Sequence, residues 1–262
     1  MKAAVVGHPI DHSLSPVVWR AAYDALGLDG WTYDALDTDV AGLTRLVHQG
    51  GYAGLSVTMP LKHTAAKLVD RQVGRTAGAV NTIVFTEDGT EGHNTDVDGV
   101  AAALRAVRPE GPGNVVILGA GGSAAAAVLA SIAAHAASIT LVARNAGPAN
   151  DLRERTGRIA RFEPWTHARD VLATADVVVN ATPRFAADEL AQGWGGAPLV
   201  DVLYDPWPTP LARAAEAGGH PVAGGLDVLV HQAVRQIELV TGQRPDPEPL
   251  LAAGRAELAR RG

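Results

Sequence analysis

Lys62 is the residue whose type and place most invite a chemical reading. The chain holds 22 basic residues, yet only Lys2, Lys62 and Lys67 are lysines. Beside the turn in Ser56-Val57-Thr58-Met59-Pro60-Leu61-Lys62, a lysine can do what arginine cannot: release a proton near neutral pH. The same residue also suits an ordinary surface position on an amphipathic helix. A second cluster is His8-Pro9-Ile10-Asp11-His12-Ser13-Leu14-Ser15-Pro16. Ser15-Pro16 makes an acceptable helix start, because serine caps and proline fits the first turn. Capping accounts for one of the two serines, and hydroxyls at a helix N-terminus also suit a carboxylate ligand. The third cluster joins Gly78-Ala79-Val80-Asn81-Thr82 to Gly92-His93-Asn94-Thr95-Asp96. Such residues ordinarily mean turns or caps, and Asp96 is placed to cap a helix beginning near Val97.

Gly119-Ala120-Gly121-Gly122-Ser123-Ala124 fits the G-x-G-x-x-G/A turn between an apolar strand ending at Leu118 and an Ala-rich helix. Gly119 allows the tight turn, Gly121 lets backbone approach a pyrophosphate, and the helix N-terminus offers free N–H groups. The plainer alternative is a tight turn that binds nothing. NAD-binding versions place Asp or Glu at the end of the second strand, whereas here that strand ends in Arg144-Asn145. A guanidinium pairs well with a 2′-phosphate, which favours NADP; Arg144 also reads as a solvated surface charge.

Alternating strands and helices must position these residues, the pattern of an α/β fold with a largely parallel sheet. Strands are expected at Ala3–Gly7, Thr32–Ala35, Leu55–Thr58, Ala79–Phe85, Val115–Leu118, Ile139–Ala143, Val177–Val179 and Leu199–Leu203. Helices are expected at Ser15–Leu26, Val40–His48, Leu61–Val69, Val97–Val107, Ala124–Ala136 and Leu226–Thr241. The breaker cluster Arg108-Pro109-Glu110-Gly111-Pro112-Gly113 marks the passage between two domains. A net charge of −6 with scattered basic residues argues against a nucleic-acid partner. The absence of cysteine excludes disulfides and thiolate chemistry. No apolar run reaches the ~18 residues of a membrane span, and the opening Met1–Gly7 reads as a strand rather than a signal peptide. The expectation is a cytoplasmic protein. Nine dispersed histidines make a metal site unexpected.

Taken in order, the segments Gly7–Pro16, Ser56–Lys62, Gly78–Thr82, Asn94–Asp96, Gly119–Ala124, Tyr204–Leu211 and Gly224–Gly242 strongly resemble the shikimate dehydrogenase family. The resemblance covers nearly the whole chain. It implies an N-terminal α/β substrate domain and a Rossmann-type dinucleotide-binding domain, separated by a cleft. The expected limits are residues 1–98 with 237–262 for the substrate-binding and catalytic domain, and 99–236 for the NADP-binding one. Carried over by position, Ser13 and Ser15 would hold a substrate carboxylate, and Lys62 and Asp96 would form the catalytic pair. Thr58, Asn81 and Gln232 would contact ring hydroxyls, with Tyr204 closing part of the pocket. Gly119, Ala120, Gly121, Gly122, Ser123, Ala124, Arg144, Asn145, Thr182 and Gly225 would bind the cofactor.

The implied reaction is the NADPH-dependent reduction of 3-dehydroshikimate, with Lys62 as general acid and Asp96 as its partner. Its partners would be small molecules, with no nucleic acid or membrane, in a monomer or homodimer. The chain departs from the family pattern at Ser56, where asparagine is usual, at His93, and at Ala143 in place of asparagine. It departs again at Arg184 and at Val228, where methionine is usual, and it lacks the second basic residue expected shortly after Arg144. The alternatives are a quinate-using relative with NAD, a ligand-binding paralogue that turns nothing over, and another α/β dehydrogenase sharing only the nucleotide domain.

Overall fold

Residues 1–261 are described by a computed structural model. Strand β1 (Lys2–Gly7) lies between β2 (Thr32–Asp37) and β3 (Gly54–Val57), parallel to both. Parallel neighbours need crossovers, and α1 (Ser15–Leu26) and α2 (Val40–Gln49) supply them. Helix α3 (Lys62–Leu68) and the short strand β4 (Arg71–Gln72) follow, then β5 (Thr82–Thr86) and β6 (Gly89–His93). The sheet order is β2-β1-β3-β5-β6-β4. This sheet is mixed: β1 to β3 are parallel and β4 is parallel to β6, but β5 runs antiparallel to both β3 and β6. Two other readings change here. Gly92 and His93, read as turn or cap residues, end the strand Gly89–His93, and the strand expected from Ala79 begins at Thr82.

Local chemistry sets the helix limits. Pro16 occupies the first turn of α1, and Gly27 ends the helix at φ +65° in the left-handed region. Val18, Trp19, Ala22 and Tyr23 recur at helical spacing and form its buried face. Asp39 caps α2 by accepting the Gly42 N–H at 2.8 Å. Leu43 and Val47 of α2 then pack on Ala4, Val6, Leu55 and Ile83 of the sheet.

The second sheet is built after α4 (Asp96–Val107) from β7 (Asn114–Leu118), α5 (Gly122–Ala133), β8 (Ser138–Ala143), α6 (Ala146–Arg155) and β9 (Arg161–Pro164). It continues with α7 (Ala168–Leu172), β10 (Val177–Asn180), β11 (Leu199–Asp201), α8 (Pro210–Ala217) and β12 (Val222–Ala223). All six strands are parallel, in the order β12-β11-β10-β7-β8-β9. Numbered within the sheet and read from its other edge, that is the Rossmann order 3-2-1-4-5-6. Val177–Asn180 is buried throughout, as a central strand covered on both faces must be. Ile117 and Leu118 are fully buried in the neighbouring strand, each contributing about 1.5–3 kcal/mol by area transfer. The run of alanines from Ala124 to Ala127 is buried too, small side chains that let α5 lie close to its neighbours.

Helices α9 (Gly225–Thr241) and α10 (Pro247–Arg261) complete the chain, α10 packing against α1. Two compact units result: Met1–Thr95 with the chain from Leu229 on, and Asp96–Val228. Among the described residues no helix is long and apolar enough to cross a membrane, and no three metal-ligating side chains gather.

Candidate active site

Backbone hydrogen bonds draw several of the anticipated residues to one end of the first sheet. The Thr58 N–H donates to the Val6 carbonyl (2.9 Å), and the His8 N–H to the Met59 carbonyl (3.1 Å). Val57 donates to the Asn81 carbonyl (2.7 Å), Val80 to the Lys62 carbonyl (3.0 Å), and Asn81 to the His93 carbonyl (3.0 Å). The start of α3 is therefore pinned beside the Asn81 segment. Gly7 has no room for a side chain, since a Cβ would lie 2.9 Å from the Met59 carbonyl oxygen and overlap the Thr58 methyl.

Lys62 is the first residue of α3, half-buried, with no acidic residue in that turn and no side-chain cap at Leu61. The helix dipole disfavours a cation at this end, so helix energetics do not explain the placement. Asp96 opens α4 as its first helical residue, and Asp98 shares that turn, where the dipole favours carboxylates. Asp96 directly follows Thr95, whose N–H donates to Asn81 Oδ1 at 2.8 Å.

A buried polar network links the Asn81 segment to α9. Tyr33 donates its hydroxyl to Ser56 Oγ (2.7 Å), and Ser56 donates to Gln236 Oε1 (2.9 Å). Gln236 Nε2 donates to the Asn81 carbonyl (3.1 Å) and to Thr82 Oγ1 (2.9 Å). Thr82 donates to Asn81 Oδ1 (2.8 Å), and Asn81 Nδ2 donates to Thr95 Oγ1 (3.0 Å) and Gln232 Oε1 (3.2 Å). Asn81 and Gln232, 2% and 7% exposed, are thus in direct contact. Burial, with the Ser56 and Ser15 hydrogen bonds opposing it, pushes the Tyr33 hydroxyl well above the usual phenol range. Tyr33, Ser56, Thr95 and Gln236 were not recognised as a unit in the sequence. Gln232 and Gln236 stand four apart, on one face of α9. That spacing was the available signal.

The reading of Ser15 as a cap is wrong. Leu14 holds the cap position with helical backbone angles and no side-chain bond, so Ser15 is already inside α1. Ser13 Oγ instead accepts the Ser15 N–H at 3.3 Å, and the Ser15 hydroxyl turns toward Tyr33. Ser15 is buried, while Ser13 and Thr58 are half-buried.

In the second unit Gly119 adopts φ +114°, and a Cβ there would come 2.7 Å from the Ala181 carbonyl oxygen. Beyond it Gly121 and Gly122 face open space, with nothing within 4 Å of an added Cβ. Gly121 caps α5 without any side-chain bond, leaving the first N–H groups of Gly122, Ser123 and Ala124 without an intrahelical partner. Arg144 stands exposed just past β8, and Asn145 caps α6 through its backbone alone. An open glycine turn, uncapped amides and a cation where a ribose-binding acid would stand together fit a dinucleotide 2′-phosphate.

Thr182, beside the turn, donates its hydroxyl to Asn180 Oδ1 (2.7 Å), and Asn180 Nδ2 donates to Asp201 Oδ2 (3.0 Å). Asp201 is completely buried and accepts further bonds from Thr209 Oγ1 (2.7 Å) and the Leu203 N–H (3.1 Å). Burial raises its carboxyl above the usual carboxylate range, against the pull of those hydrogen bonds. This clamp was missed in the sequence, where Asp201 has no motif around it. Tyr204 is half-buried just after it. Gly225 has a packing reason of its own, because a Cβ would lie 2.7 Å from the Leu203 carbonyl oxygen.

Fold and site define a two-unit α/β protein whose second unit is of the dinucleotide-binding class. A family model described as the shikimate dehydrogenase substrate binding domain matches residues 5–83. The shikimate dehydrogenase (NADP(+)) of Citrifermentans bemidjiense is 38% identical, over 93% of this chain and 90% of that protein. The crystal structure of Mycobacterium tuberculosis shikimate dehydrogenase superposes with a TM-score of 0.90 at 39% identity, over 97% of this chain and 99% of that one. The Thermus thermophilus enzyme in complex with NADP(H) and shikimate gives a TM-score of 0.83 at 33% identity, over 98% and 99%. The chain belongs to the shikimate dehydrogenase family.

Proposed function

We propose that this protein catalyses the reversible reduction of 3-dehydroshikimate to shikimate, with NADPH as reductant and, as its compartment, the cytoplasm. The observation that carries the reading is the tie between Lys62 and the Asn81 segment, inside the stretch that matches the family's substrate-binding domain. In this account residues 1–98 and 237–262, joined by Gln232, bind substrate, and the rest of residues 99–236 bind the cofactor. Gly119, Ala120, Gly121, Gly122, Ser123 and Ala124 would hold the pyrophosphate, and Arg144 with Asn145 the phosphorylated ribose. Thr182 and Gly225 line the nicotinamide end. When bound, NADPH supplies the hydride.

Charge development assigns the other roles. As the ketone carbon is reduced, negative charge gathers on its oxygen, which needs a nearby cation and a proton. Lys62 Nζ answers both needs and gives up its proton as the alcohol forms. Asp96 keeps that ammonium charged and oriented. Ser13 and Ser15 hold the substrate carboxylate through their hydroxyls, and Thr58, Asn81 and Gln232 bind ring hydroxyls, with Tyr204 alongside. The buried network through Gln236 and Ser56 keeps Asn81 and Gln232 from rotating, so their amides meet the substrate already oriented. Turnover of shikimate and of quinate, each with NADP+ and NAD+, is the test. Shikimate with NADP+ is the expected preferred pair, and preference for quinate with NAD+ overturns the reading.

A further inference from the structure

The surroundings of Arg144 carry a role that the glycine turn leaves unexplained. Strand β8 pairs with β9 so that Ala143 lies opposite Pro164, and the next residues out, Arg144 and Trp165, become neighbours. The Arg144 guanidinium carbon lies 5.3 Å from the centroid of a Trp165 ring, within cation–π range. One of its nitrogens, Nη2, donates to the Ala186 carbonyl at 2.8 Å. The ring is fixed as well: Trp165 Nε1 donates to Glu189 Oε1 at 3.1 Å, and its apolar surface packs on the layer that includes Val142 and Leu190. After Arg144 the chain has no basic residue until Arg153, whose guanidinium bonds the Ala160 carbonyl and Asn150.

A lone exposed arginine makes a poor phosphate grip, because its long side chain must surrender its rotamer freedom on binding. Arg144 is stacked and tethered in advance; the Ala186 bond takes one Nη2 hydrogen, and the other, with the adjoining Nε–H or Nη1–H, can form a two-pronged grip. We propose that Trp165 is a specificity-determining positioning residue, whose ring holds Arg144 ready for the 2′-phosphate and so sets the preference for NADP over NAD. The inference rests on the reading of the Gly119 turn as the site of this cofactor.

Calorimetric titration of the full chain with NADP+ and with NAD+ tests it. Trp165→Leu keeps apolar bulk and removes the ring face; Trp165→Met replaces it if the leucine variant does not fold. The expected result is a roughly two- to fivefold loss of NADP+ affinity with NAD+ affinity unchanged. Trp165→Phe should restore most of the preference, and in an Arg144→Ala background the Trp165 substitution should no longer move the ratio. An unchanged ratio overturns the proposal, as does equal weakening of both cofactors, or a shift that persists without Arg144. A parent chain that binds neither dinucleotide, or both alike, removes the reading of the site together with the role of Trp165. A parent that prefers NADP+ and whose ratio stays unmoved removes Trp165 alone.

Discussion

Replacing Gln236 with leucine breaks three buried hydrogen bonds in the first unit while nearly conserving volume. Two of them leave partners that stay bonded: the Asn81 carbonyl keeps the Val57 N–H, and Thr82 Oγ1 keeps Asn81 Oδ1. Losses of this kind cost about 0.5–1 kcal/mol each. The third is worse, because the Ser56 hydroxyl loses Gln236 Oε1 as its acceptor while still receiving Tyr33. A buried donor left unmatched costs about 1–3 kcal/mol. Leucine gains apolar burial in exchange, about 1 kcal/mol, so the net destabilisation should be about 2 kcal/mol. Urea unfolding followed by circular dichroism measures this through the midpoint at unchanged slope. With one of the two ties on Thr82 gone, the Asn81 segment loses support from α9, and the KM for shikimate should rise about tenfold (worth ~1.4 kcal/mol) while kcat changes less. A variant with parental stability and parental KM would refute the idea that this network supports the substrate side.

Two further outcomes follow from the second unit. Because burial raises the Asp201 carboxyl, the folded state holds that proton more tightly than the unfolded chain. Its contribution to stability is then largest below the unfolded value of about 4 and declines as pH rises through the raised folded value. The stability difference between the parent and Asp201→Asn, measured by urea unfolding across pH, should therefore shrink upward from about pH 4; a difference that grows with pH contradicts this. Gly119→Val places a branched side chain at φ +114° against the Ala181 carbonyl. It should lower stability by about 2–3 kcal/mol and weaken NADP+ binding more than tenfold, and a parental melting curve with parental affinity would count against the close approach.

The sequence revealed local punctuation well and distant pairing poorly. Ser15–Leu26 was legible to the residue because Pro16 and Gly27 mark its ends. The strand of three valines before Asn180 could hardly be anything but central. Gly89-Thr90-Glu91-Gly92-His93 went unread as a strand because glycine and charge hide its alternation, and pairing with β5 makes it one. Pro247–Arg261 went unread because its charged residues blur any apolar stripe. Among the proposed site residues, Lys62 was singled out by type, and Asn81 and Gln232 by their place in the family resemblance. The groups that support them were not, since Ser56 and Gln236 are 180 residues apart and Asn180 and Asp201 21 apart. No local pattern announces such partners. Ser15 misled for a similar reason, because a serine before proline looks like a cap until the backbone angles of Leu14 are known.

Replacement of Lys62 by alanine puts the chemistry itself to the test. Alanine is the best helix former and α3 begins at this half-buried position, so the fold should survive. Single-turnover measurement with shikimate and NADP+ should show the chemical step slowed by about 10²–10⁴, the span of a lost general acid–base group. Shikimate affinity should stay within a few-fold of the parent. Near-parental turnover in that variant would take proton transfer away from Lys62 and leave the proposed mechanism without its acid.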